Sequence, residues 1–324
     1  MAGFSREQAR QLRDSLAPLD FSAGPPQSEL FAAYCGHYGL EFSAAASSIT
    51  HTMGAFRSGD YTIVGQYFAP PVAQQRGTAF LLHGYFDHSG IFGKLIRYCL
   101  QSGFAVVIAD MPGHGLSSGK PASIASFRDY HTTWLELIKH AQSQNLQSPW
   151  VVMGQSTGGA IIIDWLLDAE PFAAAQFTHK ILLAPLVRPR RWWRGRILFA
   201  LTRWFRSETT RRFSQNSHDA EFLKFLRTQD QLQSGQLNRD RIMAMIDYIA
   251  RFSVAPPSTE CIQIIQGTGD GTVDWRHNMQ KLQEKFPSAT IHIIEHARHH
   301  LANEAPEYLN KVFARLDEVL EGIE

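Results

Sequence analysis

The 324-residue sequence holds three cysteines, Cys35, Cys99 and Cys261, far apart and each in apolar surroundings. Neither a disulfide framework nor a Cys-x-x-Cys metal site can be built from them, and buried, reduced thiols are expected. No stretch approaches the roughly 20 apolar residues that a membrane-spanning helix requires. The opening text, MAGFSREQARQLRDSLAPLD, spreads its charges through a helical period and holds no apolar core of a secretory signal, so a cytoplasmic location is expected. Charge of one sign is missing too. Lys and Arg number 31 against 30 Asp and Glu, a formal net charge of +1, which argues against a protein that binds nucleic acid over its whole surface. There is no internal repeat and no low-complexity tract. What remains is 44% hydrophobic and 19% charged, the composition of a globular chain with ample material for a core.

That material is ordered in a rhythm. HTMGAFR and YTIVGQYF flank a Ser-Gly-Asp turn and read as a hairpin. TAFLLHG, FAVVIAD, PWVVMG, KILLAP, CIQIIQG and TIHIIE follow, each a short, nearly continuous apolar run of the kind buried on both faces of a parallel sheet. Helical text fills 90–102, 123–145, 157–169, 275–286 and 303–322 between and after them. The alternation predicts an α/β chain with a doubly wound, mostly parallel sheet, whose ligands sit beyond the carboxyl ends of the strands. Two segments break the rhythm. Residues 1–50 read as a helical extension with a break at SAGPPQS, and residues 186–255 as a helical cap inserted after KILLAP. The core is then 51–185 together with 256–324.

The strand ends carry the chemistry. VVMGQSTGGAIII is strand, Gly-x-Ser-x-Gly, helix, in which small residues permit a sharp turn that lifts the Ser156 hydroxyl above the sheet. A packing turn would use the same residue types. A serine hydroxyl is a poor nucleophile until a base takes its proton and an acid orients that base. Candidates stand at later strand ends: Asp270 and Asp274 in TGDGTVD, and His296, His299 and His300 in HARHH. Asp274 also suits a helix cap. The backbone N–H groups of Tyr85, after His83-Gly84, and of Thr157 are placed to form a two-donor oxyanion hole. A metal held by HARHH and Asp270 is the rival reading, but no companion motif supports it. Neither metal nor cofactor is expected.

HGYFDHSG, IADMPGHGLSSG, GQSTGG, GTGDGTV and HARHH, in that order and spacing, resemble the monoglyceride lipase and lysophospholipase branch of the α/β-hydrolase superfamily, the serine aminopeptidase S33-like hydrolases. The resemblance spans roughly residues 52–320. It implies the α/β-hydrolase fold, with Ser156 as nucleophile, Asp270 as acid and His299 as base. It also implies that Asp110, Gly113, His114, Gly115 and Ser117 brace the turn beneath the site. The chain departs from the pattern with Thr157 where Met often follows the nucleophile, and with His296 where a glycine stands. The implied activity is hydrolysis of an acyl ester of a small molecule or lipid, monoacylglycerol or lysophospholipid first. A thioesterase, a peptidase, an acyltransferase, or a non-catalytic membrane-surface or partner-binding protein would retain the same scaffold.

In the cap, residues 188–212 gather nine arginines and three tryptophans against one acid, Glu208. Arg190, Arg191, Trp192, Trp193, Arg194 and Trp204 are candidates for an interface with anionic lipid at the inner face of a membrane. An amphipathic helix covering the site, arginines outward, would use the same text. Phe222, Leu223, Phe225 and Leu226 are candidates for acyl-chain contact, or for cap packing. No nucleic-acid partner is expected.

Overall fold

The computed structural model describes residues 3–44, 47–168, 171–194, 196–197, 208–211 and 213–321. Its centre is an eight-stranded sheet. In chain order the strands are β1 (Thr50–Ser58), β2 (Tyr61–Ala69), β3 (Gly77–Leu82), β4 (Phe104–Ala109), β5 (Trp150–Gln155), β6 (Phe177–Leu183), β7 (Gln263–Gly267) and β8 (Thr290–Ile294). They lie side by side as β1-β2-β4-β3-β5-β6-β7-β8. β1 and β2 form the expected hairpin, with Ser58 opposite Tyr61 and Gly59 at φ 54°, a left-handed conformation that glycine adopts without a Cβ penalty. β2 also runs antiparallel to β4, and β3 to β8 are parallel to one another.

The parallel strands are apolar throughout because both faces are covered. Along β4, Phe104, Val106 and Ile108 enter one core while Ala105, Val107 and Ala109 enter the other, the period-two alternation of a strand. The first core is roofed by α3 (Gly93–Gln101) and by α9 (Pro306–Leu320) through Leu95, Ile96, Val312 and Leu316. The second is roofed by α4 (Phe127–Ser143), α5 (Thr157–Leu166) and α8 (Trp275–Lys285), with Trp134, Trp165 and Phe177 packed edge to face at its centre. Ser126 caps α4 in a reciprocal capping box with Asp129.

The first fifty residues supply α1 (Arg6–Ser15) and α2 (Glu29–Tyr38), which bury Leu12, Phe31 and Tyr34 against the first core. Between them Pro18 bridges to Ala55, and Leu19 N donates to Ala55 O (2.9 Å). The edge of β1 is thereby covered, as exposed strand edges require.

Between β6 and β7 the described residues include an antiparallel ribbon, 208–210 with 236–238, and the helices α6 (Ala220–Thr228) and α7 (Arg239–Val254). Two contacts, one part-buried and one fully buried, tie this segment to the core. Lys94 Nζ lies 2.6 Å from Asp219, and His88 Nε2 lies 3.1 Å from Asp230, whose carboxylate also accepts from Tyr38 OH (3.0 Å). All three cysteines are free. Cys35 and Cys99 are buried, as expected, and burial pushes both thiols up to about 12. Cys261 instead is exposed, because it precedes β7 in the connection that returns from α7. Among the described residues no helix is long and apolar enough to cross a membrane.

Candidate active site

β5 ends in Gln155 and α5 begins at Thr157, so the chain must reverse at Ser156 within one residue. It does so at φ 53° and ψ −107°, a conformation that costs a non-glycine residue on the order of 1–3 kcal/mol. The neighbouring glycines make the turn feasible. A Cβ at Gly158 would lie 2.1 Å from Leu82 O, and one at Gly154 would lie 2.5 Å from Gly158 C. The structure thus explains why the run is Gly-x-Ser-x-Gly: the helix start packs directly on β3 and on its own strand.

Above this turn three distant segments meet. Ser156 Oγ is 2.9 Å from His299 Nε2, and His299 Nδ1 is 2.7 Å from Asp270 Oδ2. A carboxylate can only accept, so Nδ1–H is the donor, and Nε2 of the neutral ring is left to accept the serine proton. The other oxygen of Asp270 accepts from the backbone N–H groups of Thr272 (2.7 Å) and Val273 (3.1 Å). Burial pushes the Asp270 carboxyl up, but His299 and these donors outweigh it and hold the acid below the usual aspartate range. Burial likewise weakens the His299 base, and the carboxylates of Asp270 and Asp87 outweigh it, so the imidazole is more basic than an ordinary histidine. Gln155 fixes the loop that carries the ring, its side-chain amide donating to His299 O (2.8 Å).

The rival candidates go elsewhere. Asp274 stands at the start of α8 and pairs with Arg188 at 2.6 Å. His296 is exposed, and His300 Nε2 lies 3.2 Å from Asp87. The three imidazoles of HARHH therefore occupy three separate environments. His83 is a neutral strut: its Nδ1–H donates to Gly84 O (2.8 Å) while its Nε2 accepts from Met111 N (2.9 Å). Asp110 accepts from Ser89 N and Leu116 N, both at 2.7 Å, and Ser117 Oγ donates to Asp110 O. Through these bonds the 110–117 loop braces the floor of the site.

A cavity of about 270 Å3 opens over Ser156, His299, Tyr85 and Thr157. Phe222, Leu223, Phe225 and Leu226, candidates for acyl-chain contact or for cap packing, are not among its described lining residues. Leu223 and Leu226 are buried, while Phe225 packs on the rings of His37 and Tyr38. Among the described residues, Phe222 approaches the site through His300, 5.0 Å from its ring. α6 is docked through Asp219 and Asp230, with Phe225 of its apolar face against α2. Among the lipid-interface candidates, Trp192 is half-buried against the second core, and Arg190, Arg191, Trp193 and Arg194 are exposed. Trp204 lies outside the described residues. The sequence reading missed Arg211 and Arg241, which line the cavity. Arg211 was legible only as one member of the basic run, and Arg241 carried no signal beyond its charge.

A family model described as serine aminopeptidase, S33, matches residues 73–306, well over half the chain. The chain belongs to this family. As a member it is a serine hydrolase, and its sheet is that of the α/β-hydrolases. The chain is 25% identical to human (Homo sapiens) monoglyceride lipase over 78% of its own length and 86% of the relative's. It is 24% identical to caffeoylshikimate esterase of Arabidopsis thaliana, over 81% and 82% of the two chains. Among solved structures, a soluble variant of Saccharomyces cerevisiae monoglyceride lipase bound to a substrate analog superposes with a TM-score of 0.71. The identity there is 15%, covering 86% of this chain and 97% of that one, a likeness of fold.

Proposed function

We propose that Ser156, His299 and Asp270 carry out the hydrolysis of an acyl ester through an acyl-enzyme. The observation that carries the reading is the unbroken relay of 2.9 Å and 2.7 Å from the serine oxygen through the imidazole to the carboxylate. Ser156 Oγ attacks the ester carbonyl as its proton passes to His299 Nε2. The carbonyl oxygen takes up negative charge between the backbone N–H groups of Tyr85 and Thr157, donors worth about 10²–10³ each in rate. The imidazolium then gives its proton to the departing alcohol. Water enters, loses a proton to the same imidazole and releases the acid. Asp270 stays ionised throughout and holds the ring in the tautomer that accepts at Nε2.

The names of the relatives support a lipid ester, with monoacylglycerol and lysophospholipid as leading substrates. Residues 186–255 serve in this reading as the cap over the site. A panel of p-nitrophenyl esters, monoacylglycerols and lysophospholipids, assayed on wild type and on Ser156→Ala, tests it. Turnover in wild type and a loss of at least about 10⁴-fold in the variant are expected. Equal rates in both proteins would overturn the assignment. Peripheral attachment to lipid is part of the same proposal. Trp193 and Ile197, 60% and 63% exposed, stand among exposed arginines, an arrangement suited to an anionic headgroup layer. Flotation with anionic but not neutral liposomes is expected, and absence of flotation with both would remove that part.

A further inference from the structure

Two cavity-lining arginines have no task in the mechanism above. Arg211 follows the ribbon strand at 208–210, Arg241 lies in the first turn of α7, and both line the cavity over Ser156. Each guanidinium is stacked on an aromatic ring of the oxyanion loop. Arg241 Cζ lies 3.4 Å from the centroid of Tyr85, and Arg211 Cζ lies 3.9 Å from that of Phe86. The rings cover guanidinium faces and leave the N–H edges to find acceptors.

Those acceptors are poorly supplied. Arg211 Nη1 donates to Gln233 Oε1 (2.7 Å) and more distantly to Ser234 O (3.4 Å), both neutral. Arg241 Nε is fully buried and has no hydrogen-bond partner among the described residues. Among the described residues the nearby carboxylates are engaged elsewhere. Asp87, in the same cavity, lies beside His300; Asp230 is taken by His88 and Tyr38; Asp270 holds His299; and Asp240, next to Arg241 in sequence, faces Ser123. Burial accordingly pulls the Arg211 guanidinium down to about 10, even against the pull of Asp87 and Asp230. A partly buried cation that meets no free carboxylate among the described residues is poorly compensated, and the planar fork of arginine matches the two oxygens of a carboxylate or phosphate.

We propose that Arg211 and Arg241 form an anion-recognition subsite, so that the preferred ester carries a carboxylate or phosphate in the part of the molecule that enters the Ser156 cavity. The inference rests on the ester-hydrolase reading and narrows it, from acyl esters in general to those with an anionic oxygen group. A neutral monoacylglycerol is then a poorer substrate than its phosphorylated or carboxylated counterpart.

The test uses three octanoyl esters with matched acyl chains: octanoyl-glycerol, octanoyl-glycerol phosphate and the octanoyl ester of glycolate. Wild-type kcat/KM is expected to favour at least one anionic ester over the neutral one by about tenfold or more, and the favoured one names the anion. Arg211→Gln and Arg241→Gln are each expected to bring that preference down to near parity, a loss of about tenfold, within what removal of a hydrogen bond to a charged group costs. Arg241→Lys, a point charge without the fork, is expected to restore part of it. Equal kcat/KM for the three esters in wild type, or variants that slow all three in proportion, would overturn the subsite. A second arm needs no turnover: calorimetry on the folded Ser156→Ala protein, comparing octyl phosphate and octanoate with octanol. Tighter binding of an anion there, with no ester hydrolysed by wild type, would sink the ester reading and keep the subsite. Equal affinity for all three would sink the subsite, whatever the turnover.

Discussion

Asp270→Asn keeps the shape of the side chain and removes one negative charge 2.7 Å from His299 Nδ1. In the ground state the imidazole is neutral and the loss is small. In the transition state it is an imidazolium, and the missing attraction at an effective dielectric of 20 is about 6 kcal/mol. That corresponds to about four decades in rate. A triad aspartate replaced by asparagine costs a similar factor elsewhere, partly because the amide favours the wrong tautomer. A pH dependence follows with a definite sign. His299 works deprotonated, so kcat/KM falls as pH drops through its pKa. In the wild type, Asp270 and Asp87 raise that pKa against the pull of burial. Without Asp270, burial acts with less opposition and the acid limb moves to lower pH. The assay is kcat/KM for p-nitrophenyl butyrate across the pH range, on wild type, Asp270→Asn and Asp274→Asn. The reasoning is refuted by an unmoved acid limb, by a loss under tenfold, or by an equal effect of Asp274→Asn.

Gly158→Ala is expected to destabilise the fold by about 2 kcal/mol in urea unfolding, since its Cβ would meet Leu82 O at 2.1 Å, and to lower kcat/KM with it; an unchanged midpoint contradicts the packing argument. Tyr85→Phe loses the phenol O–H that donates to Ala122 O but keeps the oxyanion N–H. Stability should fall by about 1 kcal/mol and kcat/KM by less than tenfold, and a thousandfold loss would mean that the phenol itself acts. The Asp87 carboxyl is pushed up by burial, yet His300 and Arg211 prevail and hold it at about 2 against an ordinary 3.8. Its contribution, about 2 kcal/mol, is present above the ordinary value and disappears as pH falls toward the lower one. Over that interval Asp87→Asn should show a smaller change in urea midpoint than wild type, and parallel titrations would contradict the assignment.

The strands and the relay were legible because each reactive side chain follows an apolar run long enough to be a buried strand, and parallel strands deliver their ends to one edge. Asp270 was separable from Asp274 through the family resemblance and because Asp274 also suits a helix cap, and the structure adds that Asp274 is engaged by Arg188. The segment between β6 and β7 was less readable. Phe222 and Phe225 have the period of a buried helical face, but no sequence pattern states which neighbour buries it, and two ion pairs turn it toward α2. Arg211 and Arg241 were opaque for a related reason. A charged side chain is ordinarily solvated, and only the path of the chain between β6 and β7 brings these two over the aromatic rings of the oxyanion loop.

The most direct measurement is the mass of the protein after brief exposure to a fluorophosphonate, with the modified peptide sequenced. The account predicts a single adduct on Ser156, absent in Ser156→Ala and formed far more slowly in His299→Ala. An unmodified protein, or an adduct on any other residue that persists in Ser156→Ala, would contradict it.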